Sequence, residues 1–195
     1  MVFERAGSMG MSYAWIALAA ALAAAPEGKS LSLDPAKSVL GFRVVHKLHK
    51  VHGQSRSLQG KAVLSPGGDV QVMVRAPVSS FDSGEANRDA NMRDTLEAAK
   101  FPYVTFKAVG KVGAPKEYPA SVEVSLDGEL EFHGRKHPEQ IPVKVEFTDP
   151  HSLRVTSRFE VSLGKYAVER PSLLFVKIED ACVIEVDFWL QEEPR

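Results

Sequence analysis

The sequence predicts an all-β domain with antiparallel strands and one short helix, and three observations carry that reading. From about Leu31 onward, apolar residues recur at every second position, the mark of strands with one buried face. Turn-forming clusters punctuate this alternation at Ser65-Pro66-Gly67-Gly68, Ala114-Pro115, Asp127-Gly128 and Asp149-Pro150. The intervals leave no room for crossover helices between most strands, so neighbours run antiparallel. About eight or nine strands fit the chain. Closing them into a barrel removes exposed edges, but a two-sheet sandwich gives much the same alternation.

The first element is not part of that domain. Tyr13–Ala25 is an uncharged apolar run preceded by Arg5 and ending in small residues. It is too short to span a bilayer as a helix and suits the apolar core of a secretory signal. Ala23 and Ala25, or Ala19 and Ala21, offer the small-residue cleavage pattern. Residues 1–25 are therefore read as a signal peptide and 26–195 as one domain. No later stretch is apolar enough to cross a membrane, so the mature chain has no predicted span.

The strands follow in order. After a short one near Leu31–Leu33, Leu40, Phe42, Val44 and His46 share one face of the next. Another crosses Ser57–Leu64. Val70, Val72, Val74 and Ala76 share a face, as do Val104, Phe106 and Ala108. Val122, Val124 and Leu126 continue in phase with Leu130 and Phe132, so Asp127-Gly128 between them is read either as a bulge or as a hairpin tip. Val143, Val145 and Phe147 come next, then Leu153, Val155, Ser157, Phe159 and Val161. Cys182, Ile184, Val186, Phe188 and Leu190 form the last inward row.

The helix is expected to start at Asp82, with Glu85 completing a capping box. Ala86, Met92, Leu96 and Ala99 make a narrow apolar stripe, with Arg88, Asp89, Arg93, Asp94 and Glu97 outside. Phe101-Pro102 ends it. Its length suits one end of a barrel.

Composition excludes several function classes. A net charge of −1 with dispersed basic residues argues against nucleic acid as the main partner. A lone cysteine, Cys182, forbids an intramolecular disulfide and a lipid-bearing cysteine after the signal. It is read as a small apolar side chain on the inward face. His46, His49 and His52 invite a metal reading, but Lys47 and Lys50 sit among them, and residues three apart on a strand point to opposite faces. No metal site is assigned. His46 shares the inward face and stands at the barrel mouth in this reading. There is no nucleophile elbow, zinc-protease motif, phosphate loop or dinucleotide fingerprint. Glu129 and Glu131 share the wet face of their strand, which does not suit acid/base work.

Several blocks resemble those of the YceI-like family. They are SVLGFRVVHK with Gly53 after it, SFDSGEANRDANM around Arg88 and Asp89, KFPYVTF around Pro102 and Phe106, and DGELEFHG at Asp127–Gly134. One block departs: where the family has an Arg-containing segment leading to Phe-Gly, Arg158 and Phe159 approximate it and Gly164 comes late. The resemblance implies an antiparallel, up-and-down, lipocalin-like β-barrel of about eight strands with a helix at one end. It also implies a polyisoprenoid or isoprenoid-quinone tail in the lumen.

The functional expectation is a periplasmic or secreted carrier of a long-chain apolar lipid, not an enzyme, with no cofactor beyond that ligand. The residues expected to line the lumen are Phe42, Val44, His46, Val72, Phe106, Val124, Phe132, Val145, Phe159 and Phe188. A packed barrel serving as an envelope protein-interaction module is the first alternative, and an enzyme of lipid or quinone metabolism the second. The oligomeric state is left open, a dimer included.

Overall fold

The computed structural model describes residues 28–46, 49–170, 172–173 and 176–193. The expected signal peptide, 1–25, lies outside the described residues. The strands are β1 (Lys29–Leu33), β2 (Val39–His46), β3 (His49–Ser55), β4 (Gln59–Leu64), β5 (Asp69–Pro77), β6 (Tyr103–Lys111), β7 (Ala120–Phe132), β8 (Arg135–Asp149), β9 (Ser152–Ser162), β10 (Ser172–Leu173), β11 (Val176–Lys177) and β12 (Ala181–Glu192). One helix, α1 (Ala86–Thr95), separates β5 from β6. β10 and β11 pair only with each other.

β12 closes the structure. One edge pairs with β9 and the other with both β1 and β2, at Leu33↔Leu190 and Phe42↔Ile184. β1 and β2 are thus one stave broken at 34–38, and β3 and β4 are a second stave broken at 56–58. With these counted as single staves, eight antiparallel neighbours run up and down around a closed barrel. Two buried serines stitch the breaks. Ser38 Oγ accepts from the Trp189 N–H at 2.9 Å. Ser55 Oγ accepts from the Ser57 N–H at 3.2 Å and lies 2.6 Å from Ser80 Oγ. An interrupted wall leaves backbone groups without a ladder partner, and these hydroxyls supply one.

The barrel is split at one end. β3 pairs with β2, but among the described residues its other edge meets the chain only at the Gln54↔Asp82 bridge. Beyond Pro77 the chain leaves the wall through a 3-10 turn at Val78–Ser80, forms α1, and returns as β6. The side chains of α1 therefore help to line this end of the lumen.

Local structure explains where sequence expectations fail. Gly84 has φ +80° and separates Asp82 from the helix. Glu85 is the N-cap residue, without a side-chain cap bond, so the capping box does not form. Asp82 Oδ1 instead accepts from the Gly84 N–H at 2.7 Å, a local Asx turn. Asp89, expected outside, is buried and reaches back to accept from the Ser83 N–H (3.1 Å) and Oγ–H (2.5 Å). Those bonds hold its carboxyl below the usual carboxylate range. The helix ends at Thr95, before Phe101-Pro102, because Glu97 adopts φ 45°. Ala98 N–H then bonds Arg93 O at 2.9 Å and Glu97 N–H bonds Asp94 O at 3.0 Å, a Schellman closure with glutamate in glycine's usual place.

Asp127-Gly128 is neither tip nor bulge: β7 runs through it in continuous register with β8, Asp127↔Gln140 and Gly128↔Glu139. The hairpin tip comes later, at His133 and Gly134, both with positive φ, which suits a two-residue turn. The expected Ser57–Leu64 strand begins at Gln59.

Candidate functional site: an apolar lumen with a polar mouth

A cavity of about 850 Å³ occupies the barrel interior. Alternation builds it: each stave turns Val, Leu, Ile or Phe inward, and the inward rows meet around an unfilled centre. Leu31, Leu64, Val70, Val112, Leu153 and Leu190 line the end where β1 and β4 complete the ring. All are buried, so this end is closed and wholly apolar. Two aromatic residues are seated by glycines on facing strands. Phe42 lies over Gly53, where a β-carbon would come within 2.6 Å of the ring, and Phe106 lies over Gly128 in the same way. Phe42 also meets Phe81 edge-on, with centroids 5.7 Å apart.

Eight of the ten residues singled out from the sequence face this cavity: Phe42, Val44, Val72, Phe106, Phe132, Val145, Phe159 and Phe188. Val124 is the correction. It sits on the inward side of β7 and packs against the core, but it does not border the cavity. The side chain of His46 lies outside the described residues; its backbone pairs with His49 at the end of the β2–β3 hairpin.

The polar lining concentrates at the other end, on α1 and its approach. Arg88, Asn91, Met92, Thr95 and Leu96 lie at helical spacing and turn toward the cavity, with Ser83, Glu85, Asn87 and Asp94 beside them. Arg88, expected to point outward, turns in. Its Nε donates to Ser83 Oγ at 2.8 Å and its Nη2 to Ser83 O at 2.7 Å. Arg88 and Asp89 thus converge on one serine and fix the loop that enters the helix. Away from the mouth, Ser157 is the polar side chain on the lining, and its hydroxyl donates to Pro142 O at 2.5 Å.

Beside α1, the wall is completed by the segment after β9, where Val168 and Glu169 border the cavity. Tyr166, fully buried, anchors that segment. Its hydroxyl donates to Glu139 Oε1 at 2.8 Å, and burial together with that carboxylate pushes its phenol upward. Lys165 Nζ reaches the same Glu139 oxygen at 2.6 Å. His133 sits between the two sides, its Nδ1 3.1 Å from Tyr166 O and its Nε2 3.2 Å from Glu97 Oε2, without hydrogen-bond alignment at the latter. Sequence reasoning missed this anchor, because Tyr166 lies in a turn with no periodic signal.

Cys182 borders the cavity and is buried, and desolvation pushes its thiol up to about 12. A thiol so protonated is not a nucleophile at neutral pH. Among the described residues no group of three metal-ligating side chains converges. No helix among them is long and apolar enough to cross a membrane.

Solved structures that resemble this one include the following three. A polyisoprenoid binding domain from Saccharophagus degradans, implicated in plant cell wall breakdown, superposes with a TM-score of 0.70 at 18% identity, covering 85% of this chain and 99% of that one. Burkholderia cenocepacia BcnA gives 0.67 at 16% identity, covering 80% and 98%. A Campylobacter jejuni YCEI protein gives 0.57 at 12%, covering 74% and 86%. At these identities the likeness is one of fold. No curated protein matches the sequence. The YceI-like domain model matches residues 31–190, which spans every stave of the barrel, and the chain belongs to the YceI-like family.

Proposed function

We propose that this protein is a periplasmic or secreted carrier that holds a long apolar lipid, a polyisoprenoid or an isoprenoid-quinone tail, in the barrel lumen and performs no covalent chemistry on it. The observation that carries this reading is the cavity: about 850 Å³, lined between its closed end and its mouth almost wholly by apolar side chains. That volume is of the size that takes a long hydrocarbon chain. Each CH₂ buried there contributes about 0.8 kcal/mol, so affinity grows with chain length until the lumen is full. The closed end being apolar, the tail enters first and any polar end remains near α1. A polyisoprenoid binding domain stands among the similar folds, in keeping with this class of cargo. Phe42, Val44, Val72, Phe106, Phe132, Val145, Phe159 and Phe188 are the proposed contacts. Export rests on the apolar run Tyr13–Ala25.

Native mass spectrometry of the mature protein from its own envelope fraction, followed by organic extraction, tests the proposal. A stoichiometric isoprenoid lipid is the expected result. An empty protein that also takes up no added isoprenoid would overturn the carrier reading.

A further inference from the structure

We infer that the mouth of the lumen selects a lipid whose polar end is uncharged, an alcohol, phenol or carbonyl, and discriminates against a phosphate, pyrophosphate or carboxylate on the same chain. This rests on the lumen reading above and adds the class of head group.

The argument starts from the polarity gradient. The closed end holds no polar side chain, so the head group has one place to sit, against α1 and the segment carrying Glu169. Among the described residues bordering the cavity, the charged ones are Arg75, Glu85, Arg88, Asp94 and Glu169. Carboxylates outnumber guanidiniums, and both guanidiniums already hold other partners. An arginine grips phosphate by presenting two parallel N–H groups. Arg88 has already given Nε and Nη2 to Ser83, and its Nη1 lies 3.6 Å from Glu85. Arg75 belongs to the outward face of β5, where its Nε donates to Gln59 Oε1 at 2.7 Å and its guanidinium stacks on Tyr103 at 4.9 Å.

Asp94 and Glu169, by contrast, are exposed at the rim and form no ion pair among the described residues. An anion brought to this mouth meets carboxylates that have no ion-pair partner among the described residues, beside a low-dielectric cavity where that repulsion is poorly screened. Asn91 and Thr95, on the inward side of α1, offer neutral donors and acceptors that suit a hydroxyl or carbonyl. Specificity of this kind comes from repelling the wrong ligand as much as from attracting the right one.

Competition against Nile red in the delipidated mature protein tests the inference at low ionic strength. The two competitors are a polyprenol and its monophosphate of identical chain length. The phosphate is expected to bind about tenfold more weakly. The combined variant Glu85→Gln, Asp94→Asn, Glu169→Gln is expected to narrow that gap to about threefold or less, the phosphate gaining far more than the alcohol. Equal or tighter binding of the phosphate by the wild type would overturn the selectivity while leaving the lumen reading intact. So would a gap that the triple variant leaves unchanged. If neither competitor displaces the dye, the lumen reading itself fails and this inference falls with it.

Discussion

The ring of Phe106 lies across the backbone of Gly128 on the facing strand, so close that a β-carbon at 128 would sit 2.6 Å from the ring and collide with Lys107 O. Their registers, Phe106↔Leu130 and Ala108↔Gly128, place the glycine diagonally under the ring. Gly128 thereby seats an aromatic side chain at the cavity wall without closing the cavity. Gly128→Ala is expected to lower the unfolding free energy by about 1–3 kcal/mol through overpacking. A lower urea midpoint with unchanged slope is the confirming measurement. An unchanged midpoint would show that the two strands separate freely at that point.

Filling the lumen separates capacity from stability. Val72 borders the cavity from the middle of β5, and a larger side chain there grows into empty space. Val72→Trp is expected to shorten the longest isoprenoid the protein retains while leaving its circular dichroism spectrum and thermal midpoint near those of the parent. Extraction of equally long lipid from the variant would place the cargo elsewhere.

Cys182 reports on the same space. Its folded thiol is pushed up to about 12, above its unfolded value, so the folded state keeps a proton that the unfolded state releases. Stability from this group is present below about pH 9 and falls by at most about 1.4 kcal/mol per pH unit above it. Urea titrations at pH 8 and pH 10.5 should show this loss in the parent and a smaller one in Cys182→Ala. Alkylation of the native protein at pH 8 should be far slower than that of the unfolded chain, because the thiolate is scarce and the site is enclosed.

Glu193 gives the acid limb. It clasps the seam where β12 meets β1, accepting from Ser30 Oγ at 2.9 Å and Ser32 Oγ at 2.5 Å and pairing with Lys61 Nζ at 2.7 Å. Lys61 and the two hydroxyls lower its carboxyl from 4.5 to about 2. A depressed carboxyl stabilises fully above its unfolded value, so this contribution is complete above pH 4.5 and is lost between pH 4.5 and 2. Glu193→Gln should flatten the pH dependence of stability in that window and leave the lumen's capacity alone. An unaltered acid profile would assign that limb to other carboxylates.

Much of the barrel was legible because its signal is local. Alternation from Leu40 to Leu190 names the inward residues of each stave, since a strand's period of two leaves only one face for the core. Boundaries at Gln59 and Thr95 were not legible. The first depends on Ser55 and Ser80 patching a break, and the second on a left-handed glutamate. Val124 has the right parity and packs on the core, yet it lies away from the void. Arg88 and Asp89 carry polar side chains that a helical wheel assigns to solvent, and their reach back to Ser83, in the loop that enters the helix, draws them in.

The sequence by itself determined the inward strand rows, the helix between β5 and β6 and the resemblance to a family of barrels, because each rests on periodicity or on motifs of neighbouring residues; the turn read at Asp127-Gly128 proved to be continuous strand. The tertiary structure decided that the staves close through β12, that the lumen is open rather than packed, and that its polar side chains gather at one end. Those properties depend on how inward rows from eight staves meet across the barrel, and no contiguous stretch of chain encodes the distance between opposite walls.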